Sequence, residues 1–338
     1  MFATKPASKF LPVRTTVELD AMREAGRAVA STLAAVAAAA QPGVRLKDLD
    51  DIAKTAIHEA GALPSFLGYA PSWAPTPFNG VLCLSPNEAV VHGRPTGRRL
   101  QDGDLLSVDC GAIIDGWHGD AAVTVAVGTP RDADLRLVAA TQEALAAGIA
   151  AAVPDATLLD VALAIDEVAR RHGYAHLPDH GGHGIGTAMH EWPFVPNQPN
   201  ADAAKVRLRA GNSIAIEPML HQGTSSYRTK KDGWTIVTAD GRRAAHVEHT
   251  VAITDDGAHV LTVQCTTNSL GSRTTTTLPA ATLRRASSER ARHGGSIRVP
   301  APHGGVGARS RLELPVNTEP SQDEPVQRRG ASTRRRPR

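Results

Sequence analysis

The sequence has few aromatic residues and no long apolar run, and these shortages exclude several classes of protein. Phe, Trp and Tyr make up 4% of the 338 residues, within a hydrophobic fraction of 41%, so a core must consist mainly of aliphatic side chains. The most apolar stretch, residues 28–40, is Ala-rich and too short to span a bilayer. The first 15 residues contain no apolar segment of the kind found in secretory signals. We therefore expect a cytoplasmic protein with no membrane partner.

Cysteine is also scarce. The three cysteines are Cys83, Cys110 and Cys265. An odd and sparse set argues against a disulfide framework and favours a reducing compartment.

Lysine and aromatic residues are both absent from residues 266–338. This segment carries 14 arginines and five acidic residues, a net charge of +9, whereas the whole chain has +3, so residues 1–265 carry −6. A segment of this composition cannot bury enough apolar surface to offset its loss of conformational entropy. We predict a flexible N-terminus over residues 1–13, a folded domain over 14–265 and a disordered basic tail over 266–338. The arginines could contact ribosomal RNA or another polyanion, or the tail could be an inert extension.

The second half of the folded domain repeats features of the first at an offset of 112 residues. The matched pairs are Pro42 and Pro154, Leu46 and Leu158, Asp48 and Asp160, and Gly61 and Gly173. Both segments are typical of a helix that ends at a glycine, and each follows another predicted helix, over residues 17–40 or 132–152. The alternative is chance matching in an Ala-rich sequence. A true duplication predicts two helix-and-strand halves around one central site.

Strands are predicted on both sides of Asp115 and Gly116, a pair typical of two-residue hairpin turns. The predicted strands cover residues 105–114, 117–127, 213–220 and 246–254.

The hairpin brings two aspartates together. With this turn, Asp109 pairs with Ala122, and Asp120 becomes its diagonal neighbour on the same face, roughly 7 Å away or less at Cβ. Two carboxylates so close on an apolar ribbon are costly unless a cation lies between them. The alternative is a pair of solvent-facing aspartates on an edge hairpin.

Three further residues are candidate metal ligands. His183 lies in the glycine-rich run Gly-Gly-His-Gly-Ile-Gly, where the backbone can approach a site closely. No phosphate-binding motif accompanies these glycines, so we reject a phosphate loop. Glu217 and Glu248 each interrupt an apolar strand, and a buried glutamate is unusual unless it is paired or binds a metal. Together with Asp109 and Asp120, they form an oxygen-rich set whose four charges two divalent ions would balance. Such a set suits Mn, Fe(II), Co or Zn.

These residues stand in motifs that resemble the type I methionine aminopeptidases, a peptidase family with the pita-bread fold. The resemblance covers about residues 14–265. The motifs, in order, are Asn87–Gly93 (Asn-Glu-Ala-Val-Val-His-Gly), Asp109 with Asp120, Gly182–Gly186, His190-Glu191 with Pro193, Ile216–Met219, Lys231–Thr235 and Glu248–Thr250. The resemblance implies an α+β pita-bread fold, with pseudo-two-fold related helix-and-strand halves around a central antiparallel sheet, and residues 14–265 as the catalytic domain.

The family resemblance also implies a role for each motif residue. Asp120 and Glu248 would bridge two divalent metal ions, Asp109 would complete one ion, and His183 and Glu217 would complete the other. Glu217 would also act as general base, while His190 would bind the substrate carbonyl and His92 the scissile amide nitrogen. The implied reaction removes the initiator methionine from nascent polypeptides with a small second residue, by attack of a metal-activated water on the peptide carbonyl. We expect a monomer.

An apolar pocket for the methionine side chain is implied as well. It would include Tyr69, Phe66, Cys83, Met189 and Trp234, because an aromatic wall with soft neighbours suits a thioether. The chain departs from the usual family pattern at three single positions and in one segment. Phe66 and Met189 stand where Cys and Phe are common, Gly182 replaces a common Cys, and residues 71–78 contain three prolines at the rim of the pocket.

Three rival interpretations are less consistent with the sequence. Proline-specific peptidases share the fold and ligands but have an extra N-terminal domain, for which a first helix near Thr16 leaves no room. Type II methionine aminopeptidases have an insertion in the second half, whereas only 27 positions separate His190 from Glu217. A binding module that has lost catalysis would lack metal ligands, and here all five are present.

Overall fold

The computed structural model describes residues 11–263, which form four α-helices, one short 3₁₀ helix and 15 strands. The helices are α1 (Thr16–Ala39), α2 (Leu46–Glu59), α3 (Asp132–Ala151) and α4 (Leu158–His172), and the 3₁₀ helix is Ala203–Lys205. The strands are β1 (Leu63–Pro64), β2 (Leu82–Pro86), β3 (Ala89–Val91), β4 (Leu105–Ile114), β5 (Trp117–Ala126), β6 (Ala175–His176), β7 (Gly181–Gly184), β8 (Glu191–Pro196), β9 (Ser213–Ile216), β10 (Met219–His221), β11 (Tyr227–Thr229), β12 (Ile236–Thr238), β13 (Ala244–His246), β14 (Glu248–Thr254) and β15 (Gly257–Val260). The predicted tail, residues 266–338, lies outside the described residues.

A nine-stranded sheet forms the centre of the fold. Its main path runs β1-β4-β5-β14-β9-β7-β8, with β2 added on β4 and β15 on β14. All of its strand pairs are antiparallel. Two three-stranded sheets, β13-β10-β6 and β11-β12-β3, complete the strand structure of the described residues. This is the α+β pita-bread architecture that the family resemblance implied.

The two helix pairs confirm the predicted duplication. Helix α2 begins at Leu46 and α4 begins at Leu158, which preserves the offset of 112 residues. At the start of each, the backbone N–H of Arg45 or Thr157 donates to the carboxylate of the aspartate three residues later. The residue before each helix also forms an isolated antiparallel bridge, Arg45 with Arg99 and Thr157 with Arg207.

Aliphatic side chains build two cores, one for each half. Val29, Leu33 and Leu49 of α1 and α2 pack with Val108 and Ala121 of the β4–β5 hairpin in one cluster. The other cluster joins α3 and α4 to β9 and β14. It includes Leu145, Ile165, Ile214 and Val251. Successive side chains of a strand point to opposite faces. The residues between these core positions therefore point away from the helices.

The hairpin forms with the predicted register. Asp115 and Gly116 have the left-handed backbone conformation of the expected turn, with φ of 51° and 81°. Ile114 pairs with Trp117, and Asp109 pairs with Ala122.

Two predicted strands are wrong in their extent. The strand predicted over residues 213–220 divides into β9 and β10 at Glu217 and Pro218. Proline has no N–H for a ladder hydrogen bond, which accounts for the interruption. The strand predicted over residues 246–254 divides at Val247, and its two parts join different sheets. Glu217 therefore lies between strands rather than within one.

In residues 11–263, no helix is long and apolar enough to cross a membrane. Cys83 and Cys110 are buried free thiols.

The close approach of α1 to β5 gives a test of the fold. A Cβ on Gly119 would lie 2.7 Å from the Gly26 nitrogen and 2.9 Å from its Cα, and helix backbone cannot move aside cheaply. We expect Gly119→Ala to lower the free energy of unfolding by about 1–3 kcal/mol through overpacking. Chemical denaturation measures this loss. The control is Gly97→Ala, because a Cβ there meets nothing within 4 Å. Equal unfolding free energies for the two variants would contradict the described contact.

Candidate metal centre

Five strands or strand ends bring acidic and imidazole side chains to the face of the sheet opposite the helices. On β4 and β5, Val108 and Ala121 pack against the helices, so Asp109 and Asp120 point the other way. Glu248 begins β14, where it pairs directly with Ala122 of β5. His183 of β7 and Glu217 after β9 approach from the other half of the molecule. All five metal ligands implied by the family resemblance line one cavity.

The ligand atoms are close enough to share ions. The His183 Nε2 lies 4.0 Å from the Asp120 Oδ2 and 3.8 Å from the Glu217 Oε1. Candidate ligand atoms of Asp120, His183 and Glu248 all lie within 4.8 Å of one another, and those of Glu217, His246 and Glu248 form a second such group. Because Glu248 belongs to both groups, the geometry suits two neighbouring ions with a shared carboxylate.

His183 is held in the tautomer that a metal ligand needs. Its Nδ1 lies 2.9 Å from the Gly184 carbonyl oxygen, which can only accept a hydrogen bond, so Nδ1 carries the proton. The Nε2 lone pair is therefore directed at the carboxylates. Burial lowers the pKa of His183 to about 4, which keeps the imidazole neutral near neutral pH.

Without cations, the carboxyl groups resist ionisation. Burial raises the pKa of Asp109, Asp120, Glu217 and Glu248 well above the usual range, and the charges of neighbouring carboxylates raise it further. Three oxygens have no hydrogen-bond donor among the described residues, namely Oδ1 of Asp109, Oδ1 of Asp120 and Oε1 of Glu248. Buried acceptors without donors are costly. Divalent cations would satisfy these oxygens and offset the charges, so the residues present fit a pair of divalent ions.

A cavity of about 1080 Å³ extends from this carboxylate cluster to an apolar end. Phe66, Phe78, Cys83, Met189 and Trp234 pack together there, with Tyr69 against them. The structure therefore brings all five predicted pocket residues into one cluster and adds Phe78. Burial raises the pKa of the Cys83 thiol, which remains an uncharged part of the wall.

His190 lies between the carboxylate cluster and the apolar end, and His92 lies beside the apolar end. The His190 ring lies 4.2 Å from His183 and stacks at 5.2 Å on Tyr69, measured between ring centroids. The His92 ring lies 6.4 Å from Trp234 and perpendicular to it. Burial lowers the pKa of His92 to about 3 and that of His190 well below its usual value, so both rings are neutral. Neither Nδ1 has a partner among residues 11–263.

His246 is a site residue that the sequence analysis missed. Its Nε2 lies 3.4 Å from the Glu217 Oε2 and 4.0 Å from the Glu248 Oε2, and its side chain is 2% exposed. Burial lowers its pKa to about 3. In the strand predicted over residues 246–254, His246 lies two residues before Glu248, and the alternation of a strand would place both side chains on one face.

The loop that carries Met189 and His190 is anchored by Glu191, another residue without a predicted role. One carboxylate oxygen of Glu191 accepts hydrogen bonds from the backbone N–H groups of Thr187 and Ala188, at 2.9 and 3.2 Å. The other oxygen forms an ion pair with Arg14. Glu191 belongs to the His190-Glu191 motif. Its ion-pair partner Arg14 lies 177 positions earlier, and no local sequence pattern predicts that contact.

The fold and the centre together define a class of enzyme, the metallopeptidases built on the pita-bread fold. The model of metallopeptidase family M24 matches residues 20–255. The chain belongs to this family, and is accordingly a hydrolase that uses divalent metal ions.

Within family M24, the chain is similar to curated methionine aminopeptidases. The chain is 50% identical over 262 residues to "Methionine aminopeptidase 1" of Mycobacterium tuberculosis. The aligned region covers 75% of this chain and 96% of the relative. It is 41% identical over 251 residues to "Methionine aminopeptidase 1" of Bacillus subtilis, with coverage of 74% and 98%. The resemblance stated from the motifs is confirmed by these matches.

Solved structures agree. The methionine aminopeptidase of Thermotoga maritima matches with a TM-score of 0.72 and 38% identity, covering 75% of this chain and all of the other. The prolidase of Pyrococcus furiosus matches with a TM-score of 0.58 and 22% identity, covering 74% of this chain and 65% of that one, which is a likeness of fold alone.

Metal removal should destabilise the protein in a pH-dependent way. An acid whose pKa is raised by folding contributes stability below its unfolded pKa, and this contribution is lost as pH rises through the folded pKa. The metal-free protein should therefore lose thermal stability as pH rises, whereas bound ions should preserve it. Thermal unfolding with chelator or with added Mn, across a pH series, measures the difference.

The matched variants are Glu248→Gln, which should reduce the Mn-induced shift, and Glu143→Gln on the exposed surface, which should not. A Mn-induced shift that is the same at every pH would contradict the assigned cluster.

Proposed function

We propose that this chain removes the initiator methionine from new proteins and prefers substrates with a small second residue. The observation that carries the proposal is one cavity that joins a carboxylate cluster suited to two ions with an apolar end lined by Met189 and Trp234. A hydrolytic centre beside an apolar pocket suits a peptidase that recognises one apolar terminal residue. Residues 14–265 would be the catalytic domain.

Five residues would hold the ions. Asp120 and Glu248 would bridge them, Asp109 would complete one, and His183 and Glu217 the other. When bound, such ions supply an acidified water and polarise the scissile carbonyl. The sequence does not select among Mn, Fe(II), Co and Zn, all of which accept carboxylate and imidazole ligands.

The other polar groups of the cavity would bind the substrate and move protons. Glu217 would accept a proton from the attacking water as general base. His190 would donate a hydrogen bond to the substrate carbonyl, and His92 would contact the scissile amide nitrogen. A neutral imidazole offers one N–H donor and one acceptor nitrogen, which suits both roles.

The apolar end would hold the methionine side chain. The thioether is polarizable and favours contact with aromatic rings, which Phe66, Tyr69 and Trp234 provide. The Trp234 Nε1 donates to the Thr76 carbonyl oxygen at 2.9 Å, so the ring is fixed and its polar atom is satisfied.

Three peptides test the proposal. The chelated protein should regain activity with one of the four metals and release methionine from Met-Ala-Ser but not from Met-Lys-Ser. Cleavage of Ala-Pro-Ser instead would assign the chain a proline-directed specificity. Tight metal binding without any cleavage would favour a binding module.

His190→Ala tests the proposed carbonyl donor. Loss of one such donor typically costs about 10²–10³ in kcat. We expect that loss on Met-Ala-Ser, with metal affinity unchanged in calorimetry because His190 is not among the proposed ligands. His172→Ala is the matched control, since His172 pairs with Glu143 on the surface. A variant that retained full kcat would remove His190 from the mechanism.

The wider setting is also part of the proposal. New proteins emerge in the cytoplasm, so we place the enzyme there, as a monomer, with a basic tail over residues 266–338 that contacts ribosomal RNA through its arginines. Truncation after Thr266 should then abolish salt-sensitive cosedimentation with ribosomes. Cosedimentation unchanged by truncation would leave the tail as an inert extension.

A further inference from the structure

The rim of the cavity includes a segment that the family pattern does not account for. Residues 71–78, the rim segment, contain three prolines, which restrict the backbone. Its ends meet where Phe78 N donates to the Tyr69 carbonyl oxygen at 2.8 Å and Gly68 N donates to the Phe78 carbonyl oxygen at 2.9 Å. These two backbone hydrogen bonds hold the ends of the rim segment together.

Side chains from elsewhere hold the middle of the rim segment in place. The Thr76 carbonyl oxygen accepts the Trp234 indole N–H, and the Pro77 carbonyl oxygen accepts from Arg94 at 3.2 Å. Pro75 packs so closely on Gly233 that a Cβ there would lie 2.2 Å from its ring. These contacts make the rim segment a fixed wall.

Trp73 projects from this wall at the mouth of the cavity. Its ring centroid lies 4.9 Å from that of Trp234 and 6.2 Å from that of His92, with only 27° between the Trp73 and His92 planes. The Trp73 side chain remains 42% exposed, although it lines the cavity. Trp73 therefore borders both the methionine pocket and the residue proposed to contact the scissile nitrogen.

A second pair of rings also lies near His92. The His180 ring lies 6.4 Å from His92 and packs perpendicular to Tyr227 at 5.2 Å. The scissile nitrogen belongs to the second residue of the substrate. If His92 faces that nitrogen, the second side chain lies near His92, where both Trp73 and His180 border the space.

We propose that Trp73 is a specificity-determining residue that limits the size of the substrate's second residue. The inference rests on the proposed function and assigns part of its specificity to the rim segment. A wall that excludes one methylene-sized group discriminates by about 10–200-fold in kcat/KM. An indole carried on a restrained backbone is suited to this role, because the prolines and the Thr76 and Pro77 contacts hold the segment that bears it.

The test compares kcat/KM for Met-Ala-Ser, Met-Val-Ser and Met-Leu-Ser in the wild-type protein, Trp73→Ala and Trp73→Phe. Trp73→Ala should raise the Val/Ala and Leu/Ala ratios at least about tenfold, and Trp73→Phe should give intermediate ratios. Leu67→Ala is the matched control. Leu67 is 49% exposed and does not line the cavity, so its removal should leave the ratios at wild-type values.

Ratios that stay at wild-type values in both Trp73 variants, while Met-Ala-Ser is still cleaved, would overturn the inference and leave the proposed function standing. A wild-type protein that released no methionine from any of these peptides would overturn the proposed function itself, and this inference with it.

Discussion

Four carboxyl groups share a buried site in which desolvation and mutual repulsion both oppose their ionisation. Asp109, Asp120, Glu217 and Glu248 all have raised pKa values, and three of their oxygens have no donor among the described residues. A fold does not keep such a group of charges unless cations offset it. The carboxylate cluster therefore requires bound cations. The neutral imidazole of His183 can bind such a cation through its Nε2 lone pair without adding a further negative charge.

The duplicated scaffold makes this unfavourable arrangement tolerable. Each half packs a helix pair on one face of the sheet and leaves the alternate side chains of its strands for the other face. The β4–β5 hairpin supplies two ligands from adjacent strands. The other half supplies His183 and Glu217. Strand β14 begins with Glu248 and joins the halves, because it pairs with β5 on one side and with β9 on the other. The free energy gained by burying aliphatic side chains under both helix pairs offsets the cost of the polar centre between them.

Local spacing predicted the parts of this site that depend on short-range geometry. The Asp115-Gly116 turn fixed the pairing of Asp109 with Ala122, and the offset of 112 residues located the second helix pair. Contacts between distant segments have no such signal. The Arg14–Glu191 ion pair, the place of Trp73 over His92 and the approach of His246 to Glu217 depend on how whole elements pack. The break at Pro218 could have been foreseen from its missing N–H, but the apolar run around it concealed the interruption.

The scarcity of aromatic residues acquires a physical meaning once their positions are known. The chain has twelve Phe, Tyr and Trp residues, and six of them line the cavity, namely Phe66, Tyr69, Trp73, Phe78, Tyr227 and Trp234. Flat side chains offer a large contact area and lose little rotamer freedom on binding, so they suit recognition. Val, Leu, Ile and Ala serve the two cores, where interlocking shape matters more than a rigid plane. The two classes of apolar residue therefore have different roles. Aliphatic residues hold the sheet and helices together, while aromatic residues shape the space in which a substrate meets the carboxylates.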